Sequence, residues 1–268
     1  MSETLAREAM LNQADWQMRE AGTRDNRTTD LGKTARHTSA PQYHLMNEIQ
    51  PQLQKHFDYA SKLAREGRHD LALNLFQDLA ESEIEESSVL ESADFLGQVY
   101  MRKAWTLMNL SRFYEAKETF ESIFLKACLH QFSPNNKFAY FFSYANTLGE
   151  LRALSEMEGA YVHSLRLAKQ MKDPRRIQLC WLNLMYYAEY NQWWDYLEQA
   201  SRTCIVFAES TGLDCLGLSA GIRRARALAR LGQNDRADVQ AKRTIQVALE
   251  LGIDEALSAA QEFLNQLD

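Results

Sequence analysis

Arg223, Arg226 and Arg230 stand at i, i+3 and i+7 in the run GIRRARALAR. On a helix they share one face, while Arg224 points elsewhere. Three guanidinium forks on one face can grip carboxylates or phosphates through paired hydrogen bonds. The plainer alternatives are a solvated face or pairing with the next helix. The other reactive residue types show no catalytic pattern. The histidines are His37, His44, His56, His69, His130 and His163, and none is spaced as H-E-x-x-H or another zinc signature. Cys128, Cys180, Cys204 and Cys215 form no C-x-x-C pair, so the expected role is that of small buried hydrophobes. No P-loop, no G-x-G-x-x-G and no G-x-S-x-G elbow occurs. The sequence therefore predicts no enzyme, no metal site and no cofactor.

Composition narrows the scaffold that must position those arginines. Apolar residues make up 46% of the 268, enough to bury a sizeable core. Only 11 Gly and 4 Pro are present, too few for a sandwich or barrel with many tight turns. Helices joined by short connections are the expectation. The formal net charge of −6 argues against a nucleic-acid partner, which would favour a basic balance. No window of about 18 apolar residues occurs, so no transmembrane helix and no membrane insertion are expected. The N-terminus lacks a basic stretch followed by an apolar one, so the expected location is cytoplasmic.

The chain divides into three stretches. Residues 1–21 contain a candidate helix (ETLAREAMLNQADWQMRE, residues 3–20) with Trp16 among its apolar side chains. Residues 22–44 are polar and rich in Thr and Arg, which predicts a flexible linker. Residues 45–268 form the folded body. Residues 78–94 carry Asp78, Glu81, Glu83, Glu85, Glu86, Glu91 and Asp94 with no Lys or Arg, and read as a solvated acidic connection. Residues 254–267 read as a closing helix.

A self-similar helix pair recurs through the body. KLAREGRHDLALNLFQDLA (62–80), TLMNLSRFYEAKETFESIF (106–124) and ALARLGQNDRADVQAKRTI (227–245) each give a helix end, a polar turn and a second amphipathic helix. This pattern resembles the tetratricopeptide repeat (TPR) family. That family places a bulky residue at repeat position 4, a small one at 8, a large apolar one at 11, an aromatic near 17, Ala at 20, a bulky one at 24 and a small or apolar one at 27. The first repeat, from Leu53, supplies His56, Ala60, Leu63, His69, Ala72 and Phe76. The second, from Gly97, supplies Tyr100, Ala104, Leu107, Phe113, Ala116, Phe120 and, at position 27, Ile123. The third, read from Phe141, supplies Tyr144, Leu148, Leu151, Met157, Ala160 and Ser164. The fourth, from Gln178, supplies Trp181, Met185, Ala188, Trp194, Leu197 and Ser201. The fifth, from Leu218, supplies Gly221, Ala225, Leu228, Asn234, Ala237 and Ala241. Repeats longer than the shortest TPR type are found in kinesin light chain and in Rap-type regulators. The resemblance implies an all-α, right-handed solenoid of about five helix pairs with a C-terminal capping helix.

It also implies a concave groove lined by the first helix of each pair. Family positions carried over put Met101, Trp105 and Asn109 of repeat two in that groove. Repeat three adds Phe142 and Asn146, and repeat four adds Asn183, Tyr186 and Tyr190. Repeat five adds Arg223, Arg226 and Arg230. In this register Asn146 and Asn183 share position 6, where an amide can hold a peptide backbone. Trp105, at a position that does not pack in the repeat, is the expected exposed anchor. Phe57 and Ser61 stand where chaperone-binding TPRs have Lys and Asn, so that subtype is not implied. The implied function is an adaptor or scaffold that binds a partner peptide, helix or domain. The alternative is a peptide- or ligand-sensing regulator of the Rap type. Residues 1–21 are a candidate for docking in the chain's own groove or for self-association.

Overall fold

The computed structural model describes residues 40–81 and 93–267, and among them there is no strand. The expected helix over 1–21, most of the 22–44 linker and the middle of the acidic connection lie outside those residues. The described chain forms two compact units that divide after Thr147.

In the first unit, α1 (Ala40–Arg65) packs on α2 (His69–Glu81), and α2 on α3 (Ala93–Asn109). Helix α1 thus begins at Ala40, inside the segment assigned to the linker. Next, α3 pairs with α4 (Phe113–Glu121), and the short α5 (Ile123–Cys128) lies against both. Helix α6 (Pro134–Glu150) ends just beyond the division. Small residues at the helix crossings, Ala60, Ala72, Ala104 and Ala116, are fully buried, which lets the backbones approach. Phe57, Phe76, Val99, Phe120 and Leu125 fill the space around them.

Two sequence expectations fail in this unit. His56 is exposed, and the bulky filling is done by its neighbour Phe57, whose ring lies 5.9 Å from Phe76 and 5.6 Å from Phe95. The second helix of repeat two does not run through Ile123. It stops at Ser122, whose extended backbone breaks the helix and whose hydroxyl accepts from the Leu125 amide to start α5. Ile123 is left exposed, and Leu125 and Phe132 take the core positions instead.

The second unit holds α7 (Leu154–Gln170), α8 (Pro174–Tyr190), α9 (Trp194–Thr211), α10 (Asp214–Arg230), α11 (Asn234–Leu251) and α12 (Asp254–Leu267). Each packs on its successor through α7·α8, α8·α9, α9·α10, α10·α11 and α11·α12, and alternate helices also meet through α8·α10 and α10·α12. Repeat four crosses with Met185 and Leu197, both fully buried, where repeat five has Ala225 and Ala237.

Eight of the helix-to-helix turns are built alike. One residue adopts the left-handed conformation, at Gly67, Ser111, Arg152, Lys172, Gln192, Gly212, Gly232 and Gly252. The next amide donates back to the carbonyl five residues earlier, as in Trp193 N–H to Ala188 O (2.8 Å) and Gln233 N–H to Leu228 O (2.9 Å). This Schellman closure satisfies carbonyls that the helix end leaves open. From Arg152 to Gly252 these residues fall every 20 positions, so hairpins here repeat every 40. Aligning all turns puts the repeat starts at residues 53, 97, 138, 178 and 218. The third repeat is therefore three residues out of the register expected from Phe141. Its small position 8 is Ala145, fully buried, and not Leu148.

Four of these turns lack glycine, and Lys172 and Gln192 are exposed there. A side chain in this conformation costs about 1–2 kcal/mol, partly offset by the backbone freedom glycine brings to the unfolded chain. Gln192→Gly and Lys172→Gly are each expected to stabilise the protein by about 0.5–1 kcal/mol, read as a higher urea midpoint. Gly232→Ala should lower it.

Candidate partner-binding face

The expected contact residues of the first unit are mostly interior. Met101, Trp105 and Phe142 are 6%, 4% and 3% exposed. Trp105 sets its ring edge-on against His69 of the preceding hairpin, with centroids 6.4 Å apart. It is a core residue, not an exposed anchor, because burying so large a side chain against a neighbouring helix outweighs leaving it in water. Phe142 stacks on Phe138 at 5.6 Å. The half-buried Asn109 amide donates to the Trp105 carbonyl of its own helix (2.9 Å). Asn146 falls at position 9 in the corrected register, so it does not share a position with Asn183.

The second unit brings the remaining candidates together. Asn183, Tyr186 and Tyr190 follow i, i+3 and i+7 on α8. Arg223, Arg226 and Arg230 occupy the same three positions, 40 residues on, along α10. The two helices pack directly. Asn183 is 3% exposed. Tyr186 is half-buried and stacks on Tyr190 (5.9 Å, 10°) while meeting Tyr187 edge-on. Tyr190 is 42% exposed.

Glu189 organises the arginines. Its carboxylate lies 3.2 Å from Arg223 Nε and 3.1 Å from Arg226 Nη1. Arg223 also donates from Nη1 to the Ser219 hydroxyl (2.5 Å). Its side chain is one-fifth exposed, and that burial pulls the guanidinium pKa down while Glu189 opposes the shift. Arg226 is nearly half exposed. Arg230 is exposed, lies over the Trp194 ring at 5.7 Å, and meets no carboxylate among the described residues. Arg224 turns to the other side of α10, where it bonds Glu198 (2.9 Å) and Gln240 (2.9 Å). Arg223 is thus mainly a structural pair, with the earlier helix α8 and not with the next helix, and Arg226 and Arg230 reach solvent.

Helix α8 is seated by close contact. Gly149, at the end of α6, lies under Tyr187, where an added Cβ would stand 2.5 Å from the ring. Asn191 donates to the Gly149 carbonyl at 2.9 Å. Asp173 caps the other end of α8 by accepting from the Arg175 and Arg176 amides, with Pro174 leading the first turn.

Cys128, Cys180 and Cys204 are buried, and Cys215 is exposed. Burial pushes the Cys204 thiol up to about 12 against the pull of Arg223, and raises Cys180 as well. Both are held protonated. No group of His, Cys, Asp and Glu among the described residues is placed to hold a metal, and no described helix is long and apolar enough to cross a membrane.

No family model and no curated protein sequence matches the chain. Solved structures do match. A kinesin light chain-type protein from Podosopora anserina with nearly identical TPR-like repeats is 13% identical, with a TM-score of 0.56 over 75% of this chain and 96% of that one. BtubC (BKLC) from P. vanneervenii is 15% identical, with a TM-score of 0.52 over 92% of each chain. A signal-transduction ATPase with a tetratricopeptide repeat sensor from Pyrococcus horikoshii is 13% identical, with a TM-score of 0.54 over 81% of this chain. The chain spans about a third (32%) of that protein. The protein has a tetratricopeptide-like, all-α helical repeat fold.

Stability should separate the two members of the Glu189 group. Glu189→Gln leaves the one-fifth-exposed Arg223 without its carboxylate and is expected to cost about 2 kcal/mol. Arg226→Gln removes an exposed pair and is expected to cost under about 1 kcal/mol. Urea unfolding of the two variants reads the difference. Trp105→Ala should cost about 3 kcal/mol, as expected of a core side chain.

Proposed function

We propose that the chain is a protein-binding adaptor that presents the face of α8 and α10 to a partner and acts by binding, not by catalysis. The observation that carries this reading is the paired arrangement of Tyr186 and Tyr190 with Arg226 and Arg230. These side chains sit in one register on adjacent first helices; Tyr190, Arg226 and Arg230 are exposed and Tyr186 is half-buried, while residues beside them are buried. Tyrosine and arginine are the side chains most often found at the centres of protein interfaces. A stack of helical hairpins also supports the reading, because packing consumes most of each first helix and leaves one stripe free. Rigid elements hold that stripe in place before a partner arrives, which lowers the ordering cost of binding. The partner-contacting set is Tyr186, Tyr190, Arg226 and Arg230, with Arg223 as support. Met101, Trp105 and Phe142 act in the core.

Site-specific photo-crosslinking in cells tests the reading. A benzoylphenylalanine at Tyr190 is expected to capture a discrete partner protein. The same residue at Val206, which is 62% exposed on the second-helix side, should not. Equal capture from both positions, or none from Tyr190 in a folded chain, would overturn it.

A further inference from the structure

We infer that the α8–α10 face receives an acidic segment of a protein, with partner carboxylates on Arg226 and Arg230 and an apolar partner side chain on the Tyr186–Tyr190 stack. The inference rests on the adaptor reading and adds the chemistry of the partner to it.

The first argument is local charge. The chain as a whole carries a net −6, yet on this face Arg223 and Arg226 share the carboxylate of Glu189 and Arg230, over Trp194, meets no acid among the described residues. Two positive charges are left in excess. Both lie on side chains that reach water, since Arg226 is 46% exposed and Arg230 is exposed. Other exposed cations of the unit sit beside an acid of their own. Arg243 meets Glu209 at 2.9 Å and Lys242 meets Asp238 at 2.9 Å.

The second argument is geometry. Glu189 shows the ligand type that this face accepts: one carboxylate held by two guanidiniums of α10 from the neighbouring helix. Arg226 gives Glu189 only Nη1, so its other donors are available to a second acid. Arg230 is steadied by the Trp194 ring and has no acid of its own. A segment running across the two helices at this level would meet arginines on α10 and stacked tyrosine rings on α8.

The third argument is selectivity. A basic segment would face excess positive charge. A nucleic-acid strand could use both arginines and aromatics, but its close-set phosphates would be forced near the fixed Glu189 carboxylate. A peptide can space its acids so that none does.

The test is fluorescence anisotropy with the full chain and three labelled probes. One is a ten-residue peptide with three glutamates and two leucines, the second its twin with lysines for glutamates, and the third an oligo-uridylate of equal length. The acidic peptide is expected to bind at least tenfold tighter than its basic twin. That preference should shrink as salt rises from about 0.05 to 0.5 M, where the screening length falls severalfold. The Arg226→Glu/Arg230→Glu double variant should abolish it, and Tyr190→Ala should weaken the acidic peptide severalfold without removing the charge preference. Arg243→Glu, on α11, should leave binding unchanged. Circular dichroism checks that each variant is folded. Equal binding of the twins, a preference that survives the double variant, or tighter binding of the oligo-uridylate would overturn the inference. If Tyr190 still captures a partner in cells while the acidic peptide shows no preference, the adaptor reading stands and only the acidic chemistry falls.

Discussion

Helices α7 to α11 of the second unit are each stopped by one residue held in the left-handed conformation, and the arrangement of side chains there follows from where those residues fall. A helix turns 100° per residue, so a shift of one residue in a helix's length would rotate its successor's exposed stripe out of line. From Arg152 to Gly252 the stops are spaced by 20. Helices of near-equal length result, and residues 40 apart take equivalent places on successive first helices. The columns of Asn183, Tyr186, Tyr190 and of Arg223, Arg226, Arg230 are a direct consequence. Arg152, Lys172 and Gln192 hold the conformation although each lacks the freedom of glycine. The packing of the helices on either side, and the amide that closes back over each turn, set the backbone against that local preference.

Where glycine marks a stop, the sequence shows the register plainly. Repeats one and five carry Gly67 and Gly232, and small residues at their crossings confirm the phase. Repeat three has Arg152 at the stop, and nothing in its type signals a turn. Its first helix is also crowded with Phe138, Tyr140, Phe141, Phe142 and Tyr144, so more than one phase puts an aromatic at a packing position. The expected register slipped by three residues for that reason. The consequence reached the candidate site, because the slip was what placed Asn146 and Asn183 on one row. Trp105 failed differently. Its place in repeat two follows the turn at Ser111, but its burial depends on His69 of the preceding hairpin, a contact that no local pattern encodes. Ile123 was lost to the break at Ser122, where a hydroxyl and an extended backbone compete with helix continuation.

The arginines show how far spacing carries an argument. Their common face, and the separation of Arg224 from it, follow from helical geometry alone. Their partners do not. Glu189 and Glu198 lie 34 and 26 residues before Arg223 and Arg224. They look like ordinary surface carboxylates until the hairpins stack. Once stacked, α10 is tied on both sides, by Arg223 and Arg226 to Glu189 and by Arg224 to Glu198 and Gln240. A sequence signal for these ties exists in retrospect. With a period of 40 in hand, Glu189 falls at the place that Ala229 holds one repeat later, so the carboxylate is specific to the α8–α10 contact.

Glu189 does two jobs that pull in opposite directions. It neutralises Arg223, whose burial would otherwise be costly, because removing a guanidinium from water without an acid beside it is strongly unfavourable. In the same position it draws on Arg226 and lowers the positive potential that an incoming acid would feel. The geometry resolves this by unequal sharing. Arg223 sets its inner Nε in ion-pair contact with Glu189, 3.2 Å away, and donates from Nη1 to Ser219. Arg226 contributes a single nitrogen, and Arg230 contributes none. The fixed carboxylate therefore orients Arg226 without saturating it, and a side chain already held in place loses less rotamer freedom when a partner docks. Arg230 gets comparable restraint from Trp194, through an aromatic face that adds no negative charge of its own. Restraint by one shared acid and one ring leaves the excess charge on the two side chains nearest to solvent.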